Sequence, residues 1–132
     1  MKNFSELGLA EPILQAIEEL GHEHPMPVQE EVIPHLLSQD SDLVALAQTG
    51  TGKTAAYGLP LLQKALSTKS SSKGEATCPS IIILSPTREL CLQIADDMED
   101  FSKYLPEVRI LAVYGGTNIE PQIRALKHGV DI

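Results

Sequence analysis

Residues 43–54 read LVALAQTGTGKT, and this stretch decides how the rest of the chain is organised. Leu43, Val44, Ala45, Leu46 and Ala47 form a short run without polar alternation, the pattern of a strand buried on both faces of a parallel sheet. Gly50 and Gly52 follow, and a helical pattern begins at Lys53 and Thr54. Strand, glycine-rich turn and helix in that order make an anion site. Glycines let the backbone curl with its N–H groups inward, and the helix N-terminus adds partial positive charge. In such a P-loop the lysine reaches the β and γ phosphates and the next hydroxyl ligates Mg²⁺, roles that fall to Lys53 and Thr54. The general pattern G-x-x-x-x-G-K-[ST] is met except at its first position, where Ala47 stands in place of glycine.

Two further apolar runs, 81–84 and 110–114, read as strands, and the second ends at Gly115 and Gly116. The segments between the runs are long enough to return as helices. Residues 88–101 place Leu90, Ile94, Met98 and Phe101 along one stripe, whereas the helical pattern of 53–66 is interrupted by Gly58 and Pro60. Upstream, Pro12 suits a first helical turn, with Ile13, Leu14, Ile17 and Leu20 on one face and Gly21 as a stop. A second helix starts near Val28 and carries Val32, Leu36 and Leu37, with Pro34 expected to bend or restart it. The βαβαβ order predicts an α/β fold, a three-layer sandwich around a parallel sheet with its ligand at the carboxyl ends of the strands. Residues 67–77, rich in Ser, Lys and Gly, read as a solvated loop. Residues 129–132 look like the start of another strand, so the chain reads as a fragment.

With 132 residues, 42% hydrophobic and 21% charged, the chain has the make-up of one globular domain. Its net charge of -8 repels polyanions, so any nucleic-acid contact must come from a local arrangement of donors. No apolar run approaches the roughly 20 residues of a membrane span, and 1–10 lack a signal-peptide core. The expectation is a cytoplasmic monomer without membrane contact. Cys78 and Cys91 match neither a zinc site nor a redox pair and read as buried thiols. His24, His35 and His128 have no ligand-like spacing. Asp96, Asp97, Glu99 and Asp100 read as a solvated helix face with no sign of facing the P-loop.

The octet AQTGTGKT at 47–54 resembles the Walker A sequence of DEAD-box RNA helicases. Three other segments agree in order and spacing. GHEHPMPVQ at 21–29 is similar to the family's adenine-reading Q motif, with Phe4 where the family has an isolated upstream aromatic. His22 stands where the family usually has an aromatic residue, and Met26 where it has a hydroxyl. PTREL at 86–90 is similar to the first RNA-contacting motif, and Gly115 with Gly116 to the paired glycines along the RNA path.

The resemblance implies a partial RecA-like domain over 1–132, with a Q-motif region at 1–30 and a P-loop core at 42–132. It implies ATP or ADP with Mg²⁺ as cofactors, held by Phe4, His22, Pro25 and Gln29 and by Ala47, Gln48, Thr49, Gly50, Thr51, Gly52, Lys53 and Thr54. Lys53 and Thr54 would be the catalytic residues, Thr54 touching the metal through the nucleotide. RNA would be met by Pro86, Thr87, Arg88, Gly115 and Gly116. Gln29 would accept from the adenine amino group and donate to N7. The family's acidic tetrad, Ser-Ala-Thr triplet and second RecA-like domain do not occur in 1–132, so this chain is expected to bind nucleotide without turning it over. Two other readings stay open: a P-loop kinase of small molecules, which needs neither Gln29 nor PTREL, and a non-enzymatic scaffold or inhibitory partner.

Overall fold

Helices carry the ordered framework of the computed structural model, which describes residues 2–71 and 78–132. A 3-10 turn at Phe4–Leu7 precedes α1 (Glu11–Glu19), α2 (Pro27–Ser38), α3 (Lys53–Ser71), α4 (Arg88–Phe101) and α5 (Ile119–His128). Helix α1 starts at its proline, buries Ile13, Ala16 and Ile17, and stops where Gly21 takes a φ of 83°. A left-handed glycine just past the last turn is the usual way to end a helix.

Neither helix is broken at the residues expected to interrupt it. Helix α2 passes through Pro34, which removes one backbone donor without ending the helix. Helix α3 passes through Gly58 and Pro60 and takes in 67–71 of the expected loop; 72–77 lie outside the described residues. The glycine has a packing cause. A Cβ at Gly58 would stand 2.7 Å from the Met98 sulfur, so its absence lets α3 and α4 approach closely. Together with α1 and α2 these helices enclose a core of Ile13, Ile17, Ile33, Leu59, Leu62 and Met98.

No strand occurs among the described residues, so the expected parallel sheet is not shown. The runs 43–47, 81–84 and 110–114 are also not buried on both faces. Val44 is 85% exposed and Leu46 94%, with Ile82 at 78% and Leu84 at 90%. A strand's burial needs lateral neighbours as well as covering helices, and among the described residues only Asp131 and Ile132 lie between two of the runs. Ser80 and Ile81 donate to the Asp131 carbonyl, Asp131 and Ile132 donate to the Arg109 carbonyl, and Leu111 donates to the Ile132 carbonyl. The thiols also differ from expectation: Cys78 is exposed and Cys91 is only partly covered.

Candidate functional site

A cleft of about 700 Å³ opens between the start of α2, the glycine-rich loop, the first turns of α3 and one face of α4. Gly50 and Gly52 both take left-handed φ angles, 77° and 75°, which glycine adopts without a Cβ penalty. The first α3 bond runs from the Ala56 N–H to the Gly52 carbonyl. The amides of Lys53, Thr54 and Ala55 therefore lie ahead of the helical ladder, as donors available to an anion. Lys53 folds back so that its Nζ donates to the Ala47 carbonyl at 2.8 Å, and the Thr51 hydroxyl donates to the Gln48 carbonyl at 2.6 Å. Tyr57, one turn into α3, has its phenol pKa pushed up by burial; a hydrogen bond with Thr54 opposes the shift and the Asp97 charge adds to it.

Gln29 links this loop to α2. It is 2% exposed, its Oε1 accepts the Met26 N–H at 2.9 Å, and its Nε2 donates to the Gly52 carbonyl at 3.1 Å. A Cβ at Gly52 would sit 2.3 Å from that Nε2, so the contact requires glycine on the loop side. An amide oxygen accepts twice and an amide nitrogen donates twice, so each end of Gln29 keeps one bond for a ligand. Pro25 is buried, and Met26 lines the cleft with its sulfur 3.2 Å from the same Gly52 position.

Phe4 is not among the residues that line the cleft. Its ring is buried in the core and meets His22 edge-on, with centroids 6.4 Å apart, and His22 makes a second edge contact with Phe101 at 6.4 Å. His22 is the exposed flat ring bordering the cleft, with the two phenylalanines supporting it.

The acidic residues of α4 need a correction as well. Asp97 and Asp100 line the same cleft as Lys53 and Thr54 and do not belong to a purely solvated face. Burial pushes the Asp97 carboxyl pKa up, Asp100 and Asp96 push it further, and His22 opposes them. The signal was present in the sequence, because Leu90, Ile94, Asp97 and Phe101 share one helical stripe.

At the other end of α4 the PTREL segment meets the paired glycines. Thr87 caps the helix by accepting the Leu90 N–H at 3.2 Å. Arg88 lays its guanidinium over the Tyr114 ring, 5.3 Å from the centroid, and its Nη1 is 3.2 Å from where a Gly116 Cβ would be. Gly116 has a φ of 79°, and the space beside Gly115 is open. Pro86, Thr87 and Arg88 are exposed. Tyr114 had no place in the sequence reading. Its backbone N–H and C=O are both taken by the Gln122 side-chain amide, at 3.3 and 3.1 Å, which fixes the ring beneath Arg88. Among the described residues no group of three or more His, Cys, Asp or Glu side chains could hold a metal ion, and no helix is long and apolar enough to cross a membrane.

The site thus brings together a glycine-rich loop linked to a buried glutamine and a capped arginine segment against a glycine pair. The family comparison agrees: the DEAD/DEAH box helicase model matches residues 26–132, and the chain belongs to that family. It is 48% identical over 129 residues to the ATP-dependent RNA helicase DeaD of Escherichia coli strain K12, covering 98% of this chain and 19% of that protein. It is 48% identical over 127 residues to the DEAD-box ATP-dependent RNA helicase CshA of Bacillus cereus, covering 96% of this chain and 22% of the relative. The chain thus spans about a fifth of the length of these relatives. Among solved structures it is similar to the RNA helicase Prp28 of Chaetomium thermophilum bound to ADP, with a TM-score of 0.87 and 37% identity over 100% of this chain and 31% of that one. A DEAD box protein from Methanococcus jannaschii gives 0.82 and 41%, over 98% and 33%.

Proposed function

We propose that the chain is the adenine-nucleotide-binding part of an ATP-dependent RNA helicase, with the nucleotide in the cleft between Gln29 and the P-loop. One observation carries this reading: Gln29 bonds to the Gly52 carbonyl while keeping one acceptor and one donor site spare. The group that reads the base and the loop that holds the phosphates then belong to a single rigid unit. The spare lone pair of Oε1 suits the adenine amino group and the spare N–H of Nε2 suits N7. His22 offers a ring for the base to pack on, while Phe4 and Phe101 hold that ring in place.

The phosphates lie against the free amides of Lys53, Thr54 and Ala55, and Lys53 leaves the Ala47 carbonyl to pair with them. Thr54 is the residue whose hydroxyl suits Mg²⁺, and that ion would supply charge neutralisation for the phosphate oxygens. RNA follows the exposed end of α4, where Thr87 and Arg88 offer phosphate contacts and Gly115 and Gly116 allow a backbone to approach. Within these 132 residues Lys53 and Thr54 position phosphate and metal, while the family's acidic tetrad does not occur. Transfer of a phosphoryl group depends on positioning all of its partners together, so the chain itself holds nucleotide without appreciable turnover.

Calorimetry with ADP and Mg²⁺ on Lys53→Ala tests the phosphate end. Lys53 is exposed and, among the described residues, its side chain bonds to a carbonyl of its own loop, so the variant keeps its helical circular dichroism and loses measurable binding. Wild-type affinity in a folded Lys53→Ala protein would place the nucleotide elsewhere.

A further inference from the structure

Arg88 is an exposed cation that its neighbours hold in place without cancelling its charge. Its guanidinium carbon lies 5.3 Å from the centroid of the Tyr114 ring, and its Nη1 passes 3.2 Å from where a Cβ of Gly116 would stand. Among the described residues the ion pairs are Lys69 with Asp131 and Lys103 with Glu19, so no carboxylate is paired with this guanidinium. A carboxylate would fix an arginine and neutralise it. An aromatic ring fixes it by its planar face and leaves the N–H groups of its edge to bond elsewhere.

The ring is itself held through its backbone. Gln122, one turn into α5, accepts the Tyr114 N–H at 3.3 Å and donates to the Tyr114 carbonyl at 3.1 Å. One side-chain amide therefore occupies both backbone groups of the residue, as a neighbouring strand would. That fixes the direction in which the Cα–Cβ bond of Tyr114 leaves the chain. Thr87, which caps α4 by accepting the Leu90 N–H, sets the root of Arg88 in the same way. In a chain with 18 acidic and 10 basic residues, a cation that is placed but not neutralised is the local donor that a polyanion needs.

We propose that Tyr114 is a positioning residue for RNA: its ring, fixed by Gln122, orders the Arg88 guanidinium in advance so that the N–H edge meets a backbone phosphate. The inference rests on the reading of the exposed end of α4 as the RNA path. Ordering the side chain beforehand removes part of the entropy cost that a long arginine otherwise meets on binding. The contact is made by the ring face, so the phenol hydroxyl is dispensable. The tyrosine acts through the arginine on a phosphate and adds no discrimination among bases.

Fluorescence anisotropy of a labelled single-stranded oligo(U), titrated with the full chain at low salt, reads the effect. Arg88→Ala weakens binding by about tenfold or more, the scale of a charge-assisted bond. Tyr114→Leu weakens it by about two- to fivefold, the scale of an exposed cation–π contact, and Tyr114→Phe keeps the wild-type affinity. In an Arg88→Ala background Tyr114→Leu has no further effect, because the residue through which it acts is gone. If Tyr114→Leu loses its helical circular dichroism, Gln122→Leu, which releases the backbone under the ring, carries the same comparison. A penalty that persists in the Arg88→Ala background overturns the proposal, since the tyrosine would then touch RNA itself, and so does a Phe variant as weak as Leu. Tyr114→Leu at wild-type affinity beside a weakened Arg88→Ala overturns the proposal alone. Equal binding by wild type and Arg88→Ala, or none by either, defeats the RNA reading and the proposal with it.

Discussion

Replacing Gln29 by glutamate keeps the shape of the side chain and inverts one polar contact. The oxygen that accepts the Met26 N–H is retained, but the donor to the Gly52 carbonyl becomes a second oxygen, so two acceptors face each other across 3.1 Å. Losing that bond costs about 1 kcal/mol, and leaving the carbonyl without a partner about 1 to 3 kcal/mol. The site is 2% exposed, so the ionised form is also stripped of water. Protonation is the remedy: a neutral carboxyl donates to Gly52 and restores the geometry. Full burial raises a carboxyl by up to about 3 to 5 pH units, and the Met26 N–H, which favours the charged form, trims this to roughly 2. At 1.36 kcal/mol per unit that is about 3 kcal/mol.

The sign follows from linkage. The folded-state pKa of the new glutamate lies above its unfolded value near ~4.3, so full stability is present below that value. Stability is lost as the pH rises toward the folded pKa and stays lost above it. Urea midpoints of wild type and Gln29→Glu, compared between pH 4 and 8, give the difference directly, and ADP affinity should fall in the same window. A stability difference that does not vary with pH would refute the reasoning, since it would mean that position 29 does not donate to Gly52.

Two further substitutions probe α4. Asp97→Asn removes a charge from the cleft proposed to receive the phosphates; because the carboxyl keeps partial contact with solvent, affinity for ADP rises by only about 0.5 kcal/mol, roughly twofold, at neutral pH. Its pKa is raised, so the advantage of the asparagine fades as the pH falls below neutral and Asp97 takes up its proton; calorimetry at neutral pH and at successively lower pH reads this, and equal affinities throughout would place Asp97 away from the phosphates. Gly58→Ala gains about 1 kcal/mol of helix propensity but drives a methyl to 2.7 Å from the Met98 sulfur, an overpacking cost of about 1 to 3 kcal/mol. The expected outcome is a lower Tm, and a higher one would show that α4 yields readily.

What could be read from the sequence was local. The stripe of Leu90, Ile94 and Phe101 sufficed to place α4, and Lys53 with its glycines sufficed to place a glycine-rich loop at the head of α3. Gly58 was misread as an interruption because its cause, Met98, lies on another helix. Helix α5 went unrecognised although Asn118 caps it by accepting the Glu120 N–H, because its apolar face, Ile119 and Ile123 included, is largely exposed. The apolar runs suggested buried strands, yet burial depends on which segment lies alongside, and that is not written within a run. At the site, Gln29 was legible as a residue type, while its bond to Gly52 was not, since it joins positions 23 apart. Arg88 over Tyr114 likewise arises only when two distant segments meet.

The central claim, that adenine and phosphate are bound in one cleft through Gln29 and the P-loop, is tested most directly by titrating the wild-type chain with ADP and with GDP under identical Mg²⁺ and salt. Guanine presents an acceptor at O6 to the Gln29 oxygen, where adenine presents a donor, so ADP should bind more tightly by about 1 to 3 kcal/mol, roughly tenfold or more. Equal affinities for ADP and GDP would contradict the account.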